Sequence, residues 1–201
     1  MKGPPFGGPF TLRGYYIFCV PERRSLEEVL SAAQRLGTLG DRPISEVIEH
    51  ARYFVAALPP DISSVIDIGT GAGVPGLVIA IDRPDLQLTL VDRRATRMDA
   101  LARGVSAMGL MDRVTVLTAD VMDLGKNPDH RGHYDVVVCR GFASPEVTAP
   151  LARPLLKNGG SLIVSEPPSP EPSRWPADLL ERAHFEAPEY LPGVVRLRAK
   201  P

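Results

Sequence analysis

Asp67 and the glycines that follow it, Gly69, Gly71, Gly73 and Gly76, are the residues of this chain best suited to chemistry. An apolar run, Val65-Ile66-Asp67-Ile68, carries the acid and then breaks into a glycine-rich loop ahead of a second apolar stretch. Glycine removes the Cβ where a ligand must touch backbone, and it permits left-handed turns. This is the layout of a nucleotide-like cofactor site at the carboxyl end of a first parallel strand, with a plain tight turn as the bland alternative. Two ligands fit the spacing. Gly71-x-Gly73-x-x-Gly76 suits a dinucleotide, and Gly69-x-Gly71-x-Gly73 preceded by Asp67 suits S-adenosyl-L-methionine. Charge separates them: a carboxylate at the strand end repels a pyrophosphate but attracts a sulfonium and an ammonium. Asp67, Gly69, Gly71 and Gly73 are therefore read as methyl-donor contacts in preference to dinucleotide contacts.

Three later segments complete the constellation. Asp92 ends the second strand, where an acid can accept both hydroxyls of a ribose, with Arg93 beside it on the cofactor; the alternative is a solvated Asp paired with Arg93 or Arg94. Asp120, Val121 and Met122 follow the third strand, where an acceptor can take an adenine amino group and the two apolar residues can cover the ring; an ordinary polar loop is the alternative. Arg140 and Phe142 follow the fourth strand. Arg140 can orient an anionic substrate or the methionine carboxylate and is the candidate catalytic residue, while Phe142 can stack on a planar substrate. A structural ion pair and a core aromatic are the competing readings. Cys139 reads as buried and inert, and the scattered His50, His130, His133 and His184 give no metal site.

These segments need strands and helices to bring them together. Ser25-Leu26-Glu27-Glu28 is a capping box, predicting a helix to about Leu36, and Ile44 to Leu58 reads as a second helix stopped by Pro59-Pro60. Strands are predicted at Val65–Ile68, Leu86–Val91, Val114–Leu117, Asp135–Cys139 and Ser161–Ser165. Helices are predicted from Pro75 to Ile81, Ala95 to Met108 and Pro145 to Leu156, the last closing at Asn158-Gly159-Gly160. A proline-rich loop, Pro167 to Pro176, precedes a helix over Ala177–His184 and two short strands near Ala187–Leu191 and Val194–Leu197. Alternating units of this kind wind into a parallel α/β sheet with helices on both faces.

With 201 residues the chain suits one main domain. We divide it into a flexible Gly/Pro-rich arm (1–24, with a short strand possible at Tyr15–Val20), a helical cap (25–60) and a cofactor-binding domain (61–201). A net charge of −1 advertises no global nucleic-acid binding, although Arg93, Arg94, Arg97, Arg103 and Arg113 could form a local basic face. The two cysteines lie far apart, as expected of reduced thiols in a cytoplasmic protein, and no apolar run is long enough to span a bilayer.

Asp67-Ile68-Gly69-Thr70-Gly71-Ala72-Gly73-Val74-Pro75-Gly76, Arg83-Pro84, Leu90-Val91-Asp92, Arg140-Gly141-Phe142-Ala143 and Leu155-Leu156-Lys157-Asn158-Gly159-Gly160 together resemble the small-subunit (16S) ribosomal RNA guanine-N7 methyltransferases, the glucose-inhibited division protein B family. The likeness covers roughly residues 45–165. It implies the class I methyltransferase fold, a Rossmann-like, doubly wound, mostly parallel seven-stranded sheet whose last strand is antiparallel, with short N-terminal helices. It implies donor contacts at Gly69 and Val74, at Val121 and Met122, and at Arg140 beside the methyl-transfer site. The implied reaction carries a methyl group from S-adenosyl-L-methionine to N7 of a guanine in ribosomal RNA of the small ribosomal subunit. Three departures fall on the substrate side: His50 lacks the following Asp-Ser, Ser165-Glu166-Pro167 stands in place of a Lys-Gly, and Leu191-Pro192-Gly193 in place of an Arg-His element. They leave open a small-molecule acceptor, or a module that binds the donor without turnover.

Overall fold

The computed structural model of the chain describes residues 10–12, 15–17, 22–167 and 174–201. Strands β1 (Phe10–Leu12) and β2 (Tyr15–Ile17) pair antiparallel as a hairpin of their own. The strand expected over Tyr15–Val20 is thus seen in its first three residues. Cys19, the other parts of the arm within 1–21 and most of the proline-rich loop lie outside the described residues.

Helix α1 (Leu26–Arg35) begins as its capping box dictates: the Ser25 hydroxyl accepts the Glu28 N–H at 3.2 Å, and Glu28 Oε2 accepts the Ser25 N–H at 2.8 Å. Helix α2 (Ile44–Ala57) buries Val47, Ile48, Ala51 and Phe54. That stripe is laid across the sheet, so Glu46, His50 and Tyr53 stand on another face, spaced by four and three residues.

The main unit alternates strand and helix as far as β8 and closes on two consecutive strands: β3 (Ser64–Ile68), α3 (Gly76–Asp82), β4 (Gln87–Asp92), α4 (Ala95–Ala107), β5 (Val114–Thr118), α5 (Val121–Leu124), β6 (Tyr134–Cys139), α6 (Pro145–Ala152), β7 (Leu156–Ser165), α7 (Ala177–Arg182), β8 (Glu189–Leu191) and β9 (Val194–Arg198). They build a seven-stranded sheet in the order β5-β4-β3-β6-β7-β9-β8. β3 pairs parallel with β4 and β6, β4 with β5, and β6 with β7, whereas β9 runs against both its neighbours. Central strands read as continuous apolar runs because both faces are covered. Val65, Val136 and Val138 face the α1–α4 side, while Ile66, Ile68 and Val137 face the α6–α7 side.

The helix expected to reach Leu156 stops at Ala152. Pro154 has no N–H to donate and its ring crowds the preceding turn, so the chain tightens into a 3-10 turn at Arg153–Leu155. Leu156 is already extended (φ −77°, ψ 139°) and opens β7 well ahead of Ser161. Asn158-Gly159-Gly160, expected as a helix cap, is instead a bulge where the register jumps from Tyr134↔Leu156 to Val136↔Ser161.

At the amino ends of these strands Asp135 acts as a fastener. One oxygen accepts the Ser63 and Ser64 N–H groups, both at 3.0 Å, and the Ser64 hydroxyl at 2.9 Å, and the other takes Lys157 Nζ at 2.6 Å. Burial alone would raise this carboxyl, but the Lys157 ammonium and the serine donors outweigh it and hold the group well below the usual carboxylate range.

Phe54 is fully buried at the centre of the α2 contact. Phe54→Ala is expected to cost about 3–5 kcal/mol in chemical denaturation. Glu46→Ala, on the exposed face, should stay within about 0.5 kcal/mol.

Candidate functional site

The carboxyl ends of β3, β4, β6 and β7 come together at the point where the chain order reverses, with β4 on one side of β3 and β6 on the other. The loop after β3 is closed from within. Its Thr70 N–H donates to the Val91 carbonyl at 2.9 Å, and the Gly73 N–H turns back to the Thr70 carbonyl at 2.9 Å. Asp67 Oδ2 accepts the Thr70 hydroxyl at 2.7 Å and the Gly76 N–H at 2.9 Å. Gly76 is demanded by this contact: a Cβ there would sit 2.3 Å from Leu90 Cδ2 and 2.9 Å from Asp67 Oδ2.

Asp67 is 1% exposed, and its Oδ1 has no partner among the described residues. Burial pushes its carboxyl up to about 7, against the pull of Thr70, Gly76 and the positive charge of Arg140. Expected to face a ligand, Asp67 instead lies beneath the loop and fastens it. Val74 and Gly73 are also structural in position: Val74 is in the core, and Gly73 lies against Leu77 and Leu101. Gly71 sits near the Arg97 guanidinium.

Two cavities open above this floor. The first, about 490 Å³, is lined by Gly69, Asp92, Arg93, Asp120, Val121 and Phe142, with Arg94 and Arg97 at its side. Asp92 Oδ1 accepts the Arg94 N–H at 3.0 Å, which fixes the carboxyl at the end of β4. The loop expected at Asp120–Met122 is a helical turn, α5, capped by Asp120, whose Oδ1 accepts the Met122 N–H at 2.9 Å. Successive residues of a helix diverge by about 100°. Val121 therefore turns into the core at the cavity wall, while Met122 points outward, half exposed, and lines neither cavity.

The second cavity, about 770 Å³, is lined by Arg42, Glu46, His50 and Tyr53 from the α2 side, by Arg140 and Phe142 after β6, and by Glu166 and Arg174 after β7. Arg140 is thus separated from the donor-type contacts with which it was grouped. Phe142 belongs to both cavities. Its Cδ2 is 2.6 Å from where a Cβ on Gly69 would stand, so the ring closes over the loop only because Gly69 is bare and left-handed (φ +69°).

The second cavity is cationic. Burial draws the Arg140 guanidinium down, Asp67 pulls it up, and Arg42 adds to the depression. Burial likewise lowers His50, helped by Arg140 and Arg42, and its buried Nδ1 has no partner among the described residues. His50 is therefore neutral near pH 7. Cys139 is free and fully buried, and burial pushes its thiol up, so it supplies no nucleophile. Among the described residues no cluster of His, Cys, Asp and Glu could hold a metal ion, and no helix is long and apolar enough to cross a membrane.

The sequence reading missed Arg42, Glu46, Tyr53 and Arg174 as site residues. The Glu46, His50, Tyr53 spacing on the second face of α2 was the available signal. Glu166 stood out only as a departure from the family pattern.

Comparison with known proteins gives this arrangement relatives. Residues 26–167 match the family GidB, described as rRNA small subunit methyltransferase G. The ribosomal RNA small subunit methyltransferase G of Moorella thermoacetica is 34% identical over 125 residues, 62% of this chain and 52% of that protein. The protein of the same description from Synechococcus sp. (strain WH7803) is 40% identical over 177 residues, 81% of this chain and 70% of that one. The chain spans about half the length of most of the curated relatives it matches. Among solved structures, an O-methyltransferase family protein from Burkholderia thailandensis superposes with a TM-score of 0.58 at 19% identity, over 85% of this chain and 57% of that one. This likeness establishes the class I methyltransferase fold.

The raised Asp67 carboxyl makes a stability prediction. A folded-state value near 7 against an ordinary 3.8 means that the folded protein holds this proton more tightly than the unfolded chain does. The contribution is full below about pH 4 and is lost as pH rises through about 7, a change on the order of 4 kcal/mol. Asp67→Asn should remove that part of the pH dependence, seen as a flatter melting temperature between pH 4 and 7.

Proposed function

We propose a function from one premise, that the chain belongs to the GidB family, rRNA small subunit methyltransferase G. It is an S-adenosyl-L-methionine-dependent methyltransferase whose acceptor is N7 of a guanine in small-subunit ribosomal RNA, working in the cytoplasm where ribosomes are made. The observation that carries the reading is the meeting of two cavities at Phe142, directly over the bare Gly69.

The first cavity fits the donor. Asp92 at the end of β4 offers a carboxylate to ribose hydroxyls, Asp120 offers one to an adenine amine, and Val121 and Phe142 supply apolar walls. The missing Cβ at Gly69 lets the Phe142 ring close onto the loop and form the wall between the two cavities. When bound, the donor supplies an electrophilic methyl group on a sulfonium. The second cavity fits a nucleotide within RNA. Phe142 can stack on the base, while Arg42, Arg140 and Arg174 face its phosphates.

Guanine N7 carries a free lone pair at neutral pH, so this transfer needs no general base. A neutral His50 and a cationic Arg140 agree with that chemistry. The residues act by holding the reacting atoms in line, which is where most of the acceleration in such a site arises. Arg140 is the catalytic candidate because it lies on the acceptor side of Phe142, close enough to Asp67 for their charges to interact.

Incubation with labelled donor and undermethylated small ribosomal subunits tests the reading. Label is expected at one guanine N7, and donor binding without any transfer to RNA would overturn it. Asp92→Ala should weaken S-adenosylhomocysteine at least about tenfold in calorimetry; unchanged affinity removes its ribose role. Arg140→Ala should lower kcat/KM on subunits by about 10- to 100-fold with the melting temperature nearly unchanged. A matching loss of stability would make Arg140 a structural residue.

A further inference from the structure

Glu166 lies in the second cavity and has no part in the reaction as derived so far. The residue is 7% exposed and its side chain only 3%. One carboxylate oxygen is served: Oε1 accepts the Trp175 Nε1–H at 2.9 Å and lies 3.3 Å from Arg174. The other, Oε2, is buried with no partner among the described residues. A buried acceptor left unmet is costly and rare enough to need an explanation. It is also held ready, because the Glu166 N–H donates to the Gly193 carbonyl at 2.9 Å and Trp175 clamps the carboxylate from behind.

Its place in the fold suggests what it meets. β7 is the next strand beyond β6, so Glu166 stands one strand spacing, about 4.8 Å, farther from the glycine loop than the Arg140–Phe142 segment. A purine stacked on Phe142 with its N7 edge toward Gly69 and the first cavity turns its opposite edge toward this far wall. On guanine that edge carries two adjacent donors, the N1–H and the 2-amino group. Adenine, cytosine and uracil each place an acceptor among the groups on the corresponding edge. An ionised carboxylate only accepts, so it rewards guanine and repels the others.

We propose that Glu166 is the base-selecting residue of the second cavity, its Oε2 accepting from the N1–H and 2-amino edge of the acceptor guanine. The proposal rests on the reading of the chain as a guanine-N7 methyltransferase. It assigns a function to a position where the residues depart from the family pattern.

The test uses small ribosomal subunits reconstituted with guanosine or with inosine, which lacks the 2-amino group, at the methylated nucleotide. The unmodified protein should prefer guanosine by about tenfold or more in kcat/KM. Glu166→Gln keeps an oxygen for Trp175 but places an N–H donor against the base. It should lose at least about tenfold on guanosine, and its preference over inosine should collapse toward one. Its affinity for S-adenosylhomocysteine should stay unchanged. Trp175→Phe, which removes only the clamp, should lower the melting temperature and keep the preference. A Glu166→Gln protein with the original preference overturns the proposal. So does equal use of guanosine and inosine by the unmodified protein, which decides the matter even if the variant does not fold. Failure of the unmodified protein to methylate any guanine N7 is a separate outcome: it overturns the underlying reading and removes the basis of this one.

Discussion

A single oxygen, Asp67 Oδ2, joins the end of β3 to both ends of the glycine loop. It receives the Thr70 hydroxyl where the loop leaves the strand and the Gly76 N–H where the loop becomes α3. The Thr70 N–H carries the tie onward to β4 through the Val91 carbonyl. The Gly69 backbone therefore has a fixed height above the sheet, and Phe142 can close against it. Burying a carboxylate with one oxygen unmet is unfavourable by itself. Two donors and the nearby Arg140 charge offset part of that penalty, and the raised carboxyl pKa shows that burial still outweighs them.

Phe142 then divides the space above the loop. On the β4 side the lining offers short carboxylates fixed by backbone N–H groups, Asp92 by Arg94 and Asp120 by Met122. These are anchored acceptors, suited to a ligand of constant shape. On the α2 side the lining is built from long side chains of three separate segments, with arginines dominant. Such a wall suits a charged polymer whose backbone must be met in several places. The contrast agrees with the pattern of departures from the family, which fall on the α2 and β7 side and leave the loop intact.

Much of this was legible in the sequence because local signals and burial agree. The capping box at Ser25, the apolar stripe of α2 and the period-free apolar runs of the central strands each specify one structure. Where two local preferences competed, the reading failed. Pro154 ended α6 inside a stretch whose apolar pattern continued through Leu156, and the Asn158-Gly159-Gly160 segment served a bulge instead of a cap. Asp120 read as loop because a single helical turn has too few residues to show a period. The site was legible on the loop side, where the motif lies in one segment. It was largely hidden on the α2 side, where Arg42, His50, Arg140 and Glu166 meet only through folding. Sequence gives Asp67 its position along the strand and not the partners its carboxylate finds, which here are Thr70 and Gly76.

Asp135 sits at the opposite ends of the same strands, five residues from Arg140 along β6, or roughly 16 Å of extended chain. By binding Ser63, Ser64 and Lys157 it secures the starts of β3, β6 and β7 without touching either cavity. The sheet therefore has its tether at the amino ends of its central strands and its chemistry at their carboxyl ends. A lineage can exchange the side chains around the second cavity, and so change what it modifies, while the register of the strands that carry them stays pinned from below. The tether and the second cavity share no residue, so a change of side chain in one leaves the contacts of the other in place.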